Sequence, residues 1–294
     1  MQKVGRIQSI WRYPVKGMAG ESLEHCELSA QGLLGDRTWA VQDLKREEIQ
    51  SCKFRPDLLR CRARQRLEAH GGLSGQVDIS FPGQGSLGSD DPGVHQQISA
   101  SIGHASVLQP LRPLAENESF YRRHKADAHT WLKELKATFD REPGEPLPDL
   151  DNLPPAMQDF VSLPGTFFLV SPFHLLTSAS LQHMQELNSS ADWHVERFRP
   201  NLVIETLPGM QGLVEQGWIG KQLRLGNLTI NCASPAPRCG AVTRAQSDLT
   251  DDKSILRSIV READQNLGIY GSIEGCGEVR VGDDVWLQDA ADQV

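Results

Sequence analysis

The chain has 294 residues, of which 39% are hydrophobic and 23% are charged. This composition is typical of a globular protein and excludes disordered, collagen-like and coiled-coil chains, and the length corresponds to about two average domains. The formal net charge of −8 argues against an overall cationic surface for nucleic acid or an anionic membrane, so an anionic ligand would need a local cluster of Arg and Lys.

No apolar run approaches the roughly 18–20 residues that span a bilayer, and residues 1–6 enter an alternating pattern without the apolar core of a signal peptide. The cysteines contain no CxxC pair, which argues against a zinc knuckle or a thioredoxin-type motif. We therefore predict a cytoplasmic protein that binds neither membrane nor nucleic acid and whose cysteines are free thiols. These are Cys26, Cys52, Cys61, Cys232, Cys239 and Cys276.

Alternating and apolar runs in the N-terminal part predict short strands joined by loops rich in Gly, Ser and Asp. The predicted strands are 4–14, 22–28, 37–42 and 76–81. A helix is predicted over 127–139, because Trp131, Leu135 and Phe139 recur at helical spacing and Asp127 is a suitable N-cap.

Six of the 17 prolines fall within residues 143–164, a density that disfavours regular structure and is typical of an extended linker. We therefore divide the chain into an N-terminal β-rich domain (1–120), a helix with a proline-rich linker (121–164) and a second domain (165–294).

The second domain is predicted to contain more strands than helices, which favours a mainly β, α+β architecture with a barrel-like sheet and peripheral helices over a doubly wound fold. The predicted strands are 165–171, 201–205, 222–232 with a hairpin turn at Gly226-Asn227, and 278–287; the predicted helices are 174–188 and 253–265.

Candidate chemistry lies in three segments: 13–17 with 35–39, 196–201, and 234–239. In the last of these, Pro235 and Pro237 stiffen the backbone before Arg238 and Cys239. A thiolate is the nucleophile and metal ligand, and a fixed neighbouring cation favours it over the thiol.

Cations in the three segments would together neutralise a multiply charged anion such as a phosphate if they converge. They are Lys16, Arg37, Arg197, Arg199 and Arg238. Arg197 and Arg199 alternate along an apparently extended segment, so we expect Arg199 to point inward and Arg197 to be solvated. His174 and His183 have no metal-ligand company, and we interpret them as helix-surface or hydrogen-bonded residues.

The ordered set YPVKG, GDRTW, FRPN and PRC resembles the MOSC family, whose domain is named for the C-terminus of molybdenum cofactor sulfurase. The likeness is strongest to the branch with an N-terminal β-barrel domain, which includes the mitochondrial amidoxime-reducing component, and it spans nearly the whole chain. It implies a β-barrel MOSC domain after an N-terminal β-barrel-like domain.

If the likeness holds, Cys239 binds the molybdenum of a pterin cofactor and is the catalytic residue. The resemblance implies that Lys16, Arg37, Arg199 and Arg238 hold the phosphate or the polar pterin edge. It further implies cofactor contacts from Asn201, Thr177, Ser178 and Tyr270, with no pyridoxal phosphate.

The expected activity is reduction of an N-oxygenated small molecule, with electrons from an iron–sulfur or flavin protein, because the chain has no redox-cofactor signature of its own. The basic run 122–125 is either a solvated helix entry or a docking point for that partner. Two alternatives stay open: a sulfur carrier or transferase with a persulfide on Cys239, and a non-catalytic cofactor-binding protein.

Overall fold

The computed structural model describes residues 1–127 and 129–289. Strands dominate this part of the chain, as the sequence predicts. They are β1 (Gln2–Arg12), β2 (Glu21–Leu23), β3 (His25–Ser29), β4 (Gly32–Leu33), β5 (Trp39–Asp43), β6 (Arg62–Leu67), β7 (Leu73–Ser80), β8 (Ser86–Gly88), β9 (Ser106–Pro110), β10 (Phe173–Thr177), β11 (Leu202–Thr206), β12 (Lys221–Leu225), β13 (Leu228–Pro237), β14 (Asn266–Glu274), β15 (Gly277–Arg280) and β16 (Asp284–Asp289).

The helices are short and peripheral. They are α1 (Val94–Ile102), α2 (Glu118–Tyr121), α3 (Thr130–Ala137), α4 (Pro155–Asp159), α5 (Ser178–Leu187) and α6 (Lys253–Glu262), together with 3₁₀ turns at Pro56–Arg60, Leu114–Glu116, Val195–Arg197, Val214–Trp218 and Gly240–Thr243. The mainly β, α+β class is confirmed.

Seven strands close into a barrel. Their order is β11-β10-β14-β13-β12-β16-β1, and β1 pairs back onto β11. Only the β10–β11 pair is parallel among these strands, and β2 extends the sheet beyond β1. Val4, Ile7 and Ile10 of β1 lie in the barrel core with side chains from the last third of the chain, such as Leu223 and Val285. The first strand therefore belongs to a barrel whose other six strands all lie after residue 172.

The remaining N-terminal strands form small sheets around a second core. β5 pairs with β9, and β6, β7 and β8 form a three-stranded sheet. Their inward side chains, including Val41, Ile79 and Leu108, pack with Ile98 of α1. A further small sheet joins β3 and β4 to β15, so the N-terminal part contacts the barrel through backbone pairing as well as through β1.

The predicted strand over 165–171 and the helix start at 174 are both wrong. Residues 165–171 form bends, since Gly165 takes a positive φ of 74° immediately after Pro164. The apolar run that follows is the buried strand β10. The helix begins only at Ser178, where the Thr177 hydroxyl accepts the Ser180 amide and caps it. The leucines that suggested a helical stripe are thus divided between two elements.

Other predicted elements are confirmed with shifted ends. Asp127 accepts hydrogen bonds from the amides of His129 (2.8 Å) and Thr130 (2.7 Å) just before α3, but the N-cap position of this helix is His129 and not Asp127 as predicted. Helix α6 buries the predicted stripe around Ile255 and Ile259. The proline-rich segment is less irregular than predicted, because Pro155 opens the short helix α4 at a position where its missing N–H costs nothing.

No helix in residues 1–127 or 129–289 combines the length and the apolar character that crossing a lipid bilayer requires.

Closure of the barrel depends on close backbone approach at Gly5, where β1 pairs with both β11 and β16. A Cβ at this position would lie 2.1 Å from the Glu205 carbonyl oxygen. We expect Gly5→Ala to lower the free energy of unfolding by about 1–3 kcal/mol, the usual cost of overpacking. Urea denaturation followed by far-UV circular dichroism measures this change.

Gly85→Ala is the matched control, because a Cβ at Gly85 meets no atom within 4 Å. We expect this control to change the free energy of unfolding by less than about 0.5 kcal/mol. Equal effects of the two substitutions would contradict the barrel-closing role of Gly5.

Candidate functional site

A cavity of about 550 Å³ contains Cys239 and draws its lining from three distant parts of the chain. We call it the thiol cavity. The N-terminal part contributes Lys16, Gly17, Arg37 and 51–53; the segment between the two cores contributes Leu135, Phe139, Leu150 and Leu153; and the barrel contributes 197–199, Asn201, 234–235, 237–239 and Tyr270. The structure thus brings the three predicted segments together around one sulfur.

Cys239 lies two residues beyond Pro237, the last residue of β13, and is 9% exposed. One side of it packs against an apolar wall formed by Leu135, Phe139 and Leu150. The next amide, that of Gly240, donates to the Thr138 carbonyl at 2.9 Å, and a Cβ at Gly240 would lie only 2.9 Å from Asp140 Cβ. The end of α3 therefore fixes the backbone that carries the thiol.

Arg238 is buried, and its guanidinium is held by the protein itself. Its Nε donates to the Leu267 carbonyl at 2.8 Å and its Nη1 to the Phe198 carbonyl at 3.1 Å. These bonds leave little donor capacity for a ligand, so Arg238 contributes a fixed positive charge beside Cys239 rather than a flexible clamp.

Asp36 organises the first cationic loop. Its carboxylate accepts hydrogen bonds from the Tyr13 amide (2.7 Å) and the Asn201 side-chain amide (2.9 Å), and it pairs with the Arg37 guanidinium. Asn201 Oδ1 in turn accepts the His174 amide at 3.1 Å. The side-chain amide of Asn201 is therefore hydrogen-bonded to protein groups. Together with Asp36 it positions the end of β1 and the starts of β10 and β11, and Asn201 also lines the cavity.

Two cavity arginines, Arg37 and Arg199, have positive φ angles of 50° and 55°. This conformation is costly for a residue with a Cβ and is found most often at functional sites. Both guanidiniums lie against the ring of Tyr13, at 5.2 and 4.3 Å from its centroid. Arg199 also donates to the Met18 carbonyl at 2.6 Å.

The expected alternation of Arg197 and Arg199 is wrong. Residues 195–197 form a 3₁₀ turn, so neither arginine is on an extended strand. The Arg197 side chain is fully enclosed and donates to the carbonyls of Asp192 (3.0 Å) and Thr250 (2.9 Å). It fastens this loop to its neighbours instead of being solvated.

Lys16 is buried and has no carboxylate partner among the described residues. Its ammonium donates to the Phe167 carbonyl at 2.8 Å, with Ser162 Oγ at 3.4 Å. Burial, together with the nearby Arg37 charge as a smaller cause, lowers the pKa of Lys16 to about 7. Lys16 therefore gains or loses its charge near neutral pH, and an anion in the cavity would favour the charged form.

His174 belongs to the site, which the sequence interpretation missed. It lies on β10 rather than on a helix, and its Nε2 is 2.5 Å from Arg238 Nη2. A guanidinium only donates, so Nε2 accepts and Nδ1 donates to the Arg199 carbonyl at 3.2 Å. Burial and the Arg238 charge lower the pKa of His174 well below its ordinary value, so it stays neutral. Tyr270, which the resemblance places beside the cofactor, lines the same cavity, and its ring centroid is 5.5 Å from that of the His174 imidazole.

The structure does not bring Thr177 and Ser178 to the thiol cavity. The Thr177 hydroxyl donates to the buried carboxylate of Glu215 at 2.7 Å, while Ser178 Oγ accepts the Thr206 amide at 3.0 Å. Both hydroxyls stabilise the junction between β10 and α5. Their predicted contact with a cofactor finds no support in this geometry.

Two side chains of the basic run 122–125, Arg122 and Lys125, are paired with carboxylates. Arg122 pairs with Glu118, Lys125 pairs with Asp159, and Arg123 donates to the Phe160 carbonyl at 3.0 Å. This pairing favours a structural role over a docking surface for an acidic protein.

The residues around the thiol fit an anionic, metal-bearing group. Asp149 is the one carboxylate lining the cavity in the described ranges, whereas seven cationic side chains line it: Lys16, Arg37, Lys53, Arg123, Arg197, Arg199 and Arg238. Within residues 1–127 and 129–289, no three His, Cys, Asp or Glu side chains are grouped to hold a metal by themselves. A metal here would take one sulfur from Cys239 and its other ligands from the cofactor.

Two family descriptions match this chain: the MOSC N-terminal beta barrel domain over residues 4–105 and the MOSC domain over residues 164–286. The chain belongs to the MOSC family. Mitochondrial amidoxime reducing component 2 of Bos taurus is 26% identical over 325 residues, which cover 97% of this chain and 84% of that protein.

The human component 2 is 25% identical over 310 residues, with the same shares of each chain covered. Mouse component 1 is 26% identical over 328 residues, covering 98% of this chain and 83% of its own. A crystal structure of the YUAD protein from Bacillus subtilis covers 98% of this chain and 97% of that chain, at 10% identity and a TM-score of 0.43.

Both MOSC regions contribute to the thiol cavity. Lys16 and Arg37 fall in the N-terminal match, and Arg199 and Cys239 fall in the C-terminal match. The apolar wall over the sulfur, which includes Leu150, comes from the intervening residues that neither description covers. The predicted helix and linker segment, 121–164, thus contains residues that cover the site. The division of the chain into 1–120, 121–164 and 165–294 stays a prediction.

The lowered pKa of Lys16 predicts a pH-dependent stability of the cofactor-free protein. The unfolded chain restores the ordinary value of 10.5, so between pH 7 and 10.5 the unfolded state binds more protons than the folded state. The free energy of unfolding therefore rises with pH in this window, by at most about 1.4 kcal/mol per pH unit. Below pH 7 Lys16 is charged in both states, so the cost of burying its charge lowers the free energy of unfolding by its full amount.

Lys16→Met should remove this contribution, so the variant should be more stable than the wild type at pH 7. This difference in the free energy of unfolding should shrink from pH 7 to pH 9 in urea titrations. Lys133→Met, at an exposed lysine of α3, controls for the loss of one positive charge. Parallel pH profiles for the wild type and Lys16→Met would contradict the assignment.

Proposed function

We propose that this MOSC protein is a molybdenum-cofactor-binding oxidoreductase that reduces N-oxygenated small molecules, with Cys239 as the protein ligand of the metal. The observation that carries the proposal is the convergence of Lys16, Arg37, Arg199 and Arg238 on the cavity that contains Cys239. Such a concentration of positive charge next to the Cys239 thiol is suited to an anionic cofactor and a soft or high-valent metal.

The similarity to proteins named amidoxime reducing components supports the reaction class. Amidoxime reduction is a two-electron step: the N–O bond breaks, two electrons and two protons enter, and the products are an amidine and water. When bound, the cofactor supplies oxygen-atom and electron-transfer chemistry that no side chain of this protein provides.

The chain's own residues would bind and orient the cofactor. Lys16, Arg37 and Arg199 would neutralise the phosphate or polar edge of the cofactor, and Lys16 would take up a proton as it does so, because its pKa in the free protein is about 7. Arg238 would add a fixed charge, and Tyr270 would lie beside the ligand. Asn201 acts through Asp36 and His174 as a positioning residue.

The apolar wall of Leu135, Phe139 and Leu150 restricts water on one side of the sulfur. Exclusion of water strengthens the electrostatic interactions inside a site and protects reduced intermediates from side reactions. The electrons would come from an iron–sulfur or flavin protein, and we expect the reaction to take place in the cytoplasm.

Metal analysis tests the role of Cys239. Protein isolated from a host that makes molybdopterin should contain about one molybdenum per chain, bound through a single protein sulfur. Cys239→Ala and the nearly isosteric Cys239→Ser should both lose at least about 90% of the metal and of the amidoxime-reducing activity, since a neutral hydroxyl is a poor ligand for a soft site.

Cys276→Ala is the control, because this thiol is exposed and does not line the cavity. Full metal content and activity in the Cys239 variants would overturn the proposal. A wild-type protein without molybdenum, carrying one extra sulfur on Cys239 by mass spectrometry, would instead support the sulfur-carrier alternative. Bound pterin without turnover of N-hydroxylated compounds would support a non-catalytic cofactor-binding protein.

A further inference from the structure

A second cavity, of about 360 Å³, adjoins the thiol cavity. We call it the basic cavity. The two share Cys52, Lys53, Arg123 and Ala241 as lining residues, and Gly240, next to Cys239, lines the basic cavity as well. Its other lining side chains include Arg46, Glu48, Arg55, Glu134 and Arg244. A molecule held in the basic cavity therefore lies next to the segment that carries the thiol.

The cations of the basic cavity outnumber its carboxylates. Arg46 is held by Glu134 through two hydrogen bonds of 3.0 and 3.1 Å, and Arg55 pairs with Asp43 at 3.2 Å. By contrast, Lys53, Arg123 and Arg244 form no ion pair with a carboxylate of residues 1–127 or 129–289.

Glu48 does not cancel this excess. It is buried, and burial raises the pKa of its carboxyl although the Arg123 charge opposes the shift. One partly desolvated carboxyl group faces three cations without ion pairs, so the basic cavity has a net positive charge.

Two arginine N–H groups at this cavity also have no acceptor. The Nε atoms of Arg55 and Arg123 are buried and unpaired in the described structure. A buried donor without a partner is costly, and buried donors are normally satisfied by protein or ligand atoms. Lys53 lies over the Phe139 ring at 4.8 Å, which holds its ammonium at the boundary of the two cavities. The oxygens of a carboxylate or a phosphate would satisfy this arrangement.

We propose that the basic cavity binds the carboxylate or phosphate group of a substrate whose N–O group lies in the adjoining thiol cavity. The inference rests on the proposed function and narrows its substrates to anionic N-hydroxylated compounds. The four cations proposed to bind the cofactor, Lys16, Arg37, Arg199 and Arg238, line the thiol cavity and not the basic cavity. The charge of the basic cavity is therefore available to the substrate.

A matched pair of compounds tests this. Benzamidoxime is uncharged near neutral pH, and 4-carboxybenzamidoxime adds one carboxylate to the same skeleton. In the cofactor-loaded enzyme, Arg244→Gln should raise the KM for the carboxylated compound about tenfold, the usual weight of a hydrogen bond to a charged group. The kcat/KM for benzamidoxime should change less than about twofold in the same variant.

Lys133→Gln is the control, because it removes a positive charge from the exposed side of α3, outside both cavities. It should leave both KM values unchanged. Equal KM changes for the two compounds in Arg244→Gln, or none, would overturn the inference. Loss of molybdenum and pterin from Arg244→Gln would also overturn it, since the anion would then belong to the cofactor.

Binding to the cofactor-free protein separates this inference from the proposed function. Isothermal titration calorimetry should show tighter binding of 4-carboxybenzamidoxime than of benzamidoxime, and Arg244→Gln should reduce the difference. If the loaded enzyme reduces neither compound, the proposed function fails, while the calorimetric comparison still decides whether the basic cavity binds a carboxylate.

Discussion

The thiol cavity depends on one enclosed carboxylate. Asp36 holds the backbone of Tyr13 where the first strand ends, the side chain of Asn201 where β11 begins, and the guanidinium of Arg37. A carboxylate taken out of water is stable only with several such donors, and each donor is fixed in return. Segments separated by more than 160 residues thereby meet at one point, and the cationic side chains next to them in sequence, Lys16, Arg37 and Arg199, line a common cavity.

The arginines of this space are largely immobilised before any ligand arrives. Arg238 is bound to carbonyls, Arg199 to the Met18 carbonyl, and Arg37 to Asp36. Positive charges held by protein dipoles lose little conformational entropy on binding, so more of the interaction energy is available for affinity. Lys16 differs, because its charge responds to pH near neutrality, and it is the adjustable member of the set.

The sequence predicted the elements with strong local signals. Asp127 at the start of α3, the Gly226-Asn227 hairpin and the apolar stripe of α6 needed only near neighbours in the chain. It failed where tertiary context decides: the run 173–177 is apolar enough for a strand or a helix, and burial in the barrel selects the strand. The candidate residues followed from motif order, but nothing local indicated that His174 orients Arg238 or that Arg123 and Arg244 line an adjacent cavity.

The position of β1 between β11 and β16 has a consequence for biosynthesis. Gln2 is synthesised well before its pairing partner Leu287, which lies 285 residues later in the chain. The barrel therefore stays open until β16 has been synthesised, and β1 remains unpaired on that side until then.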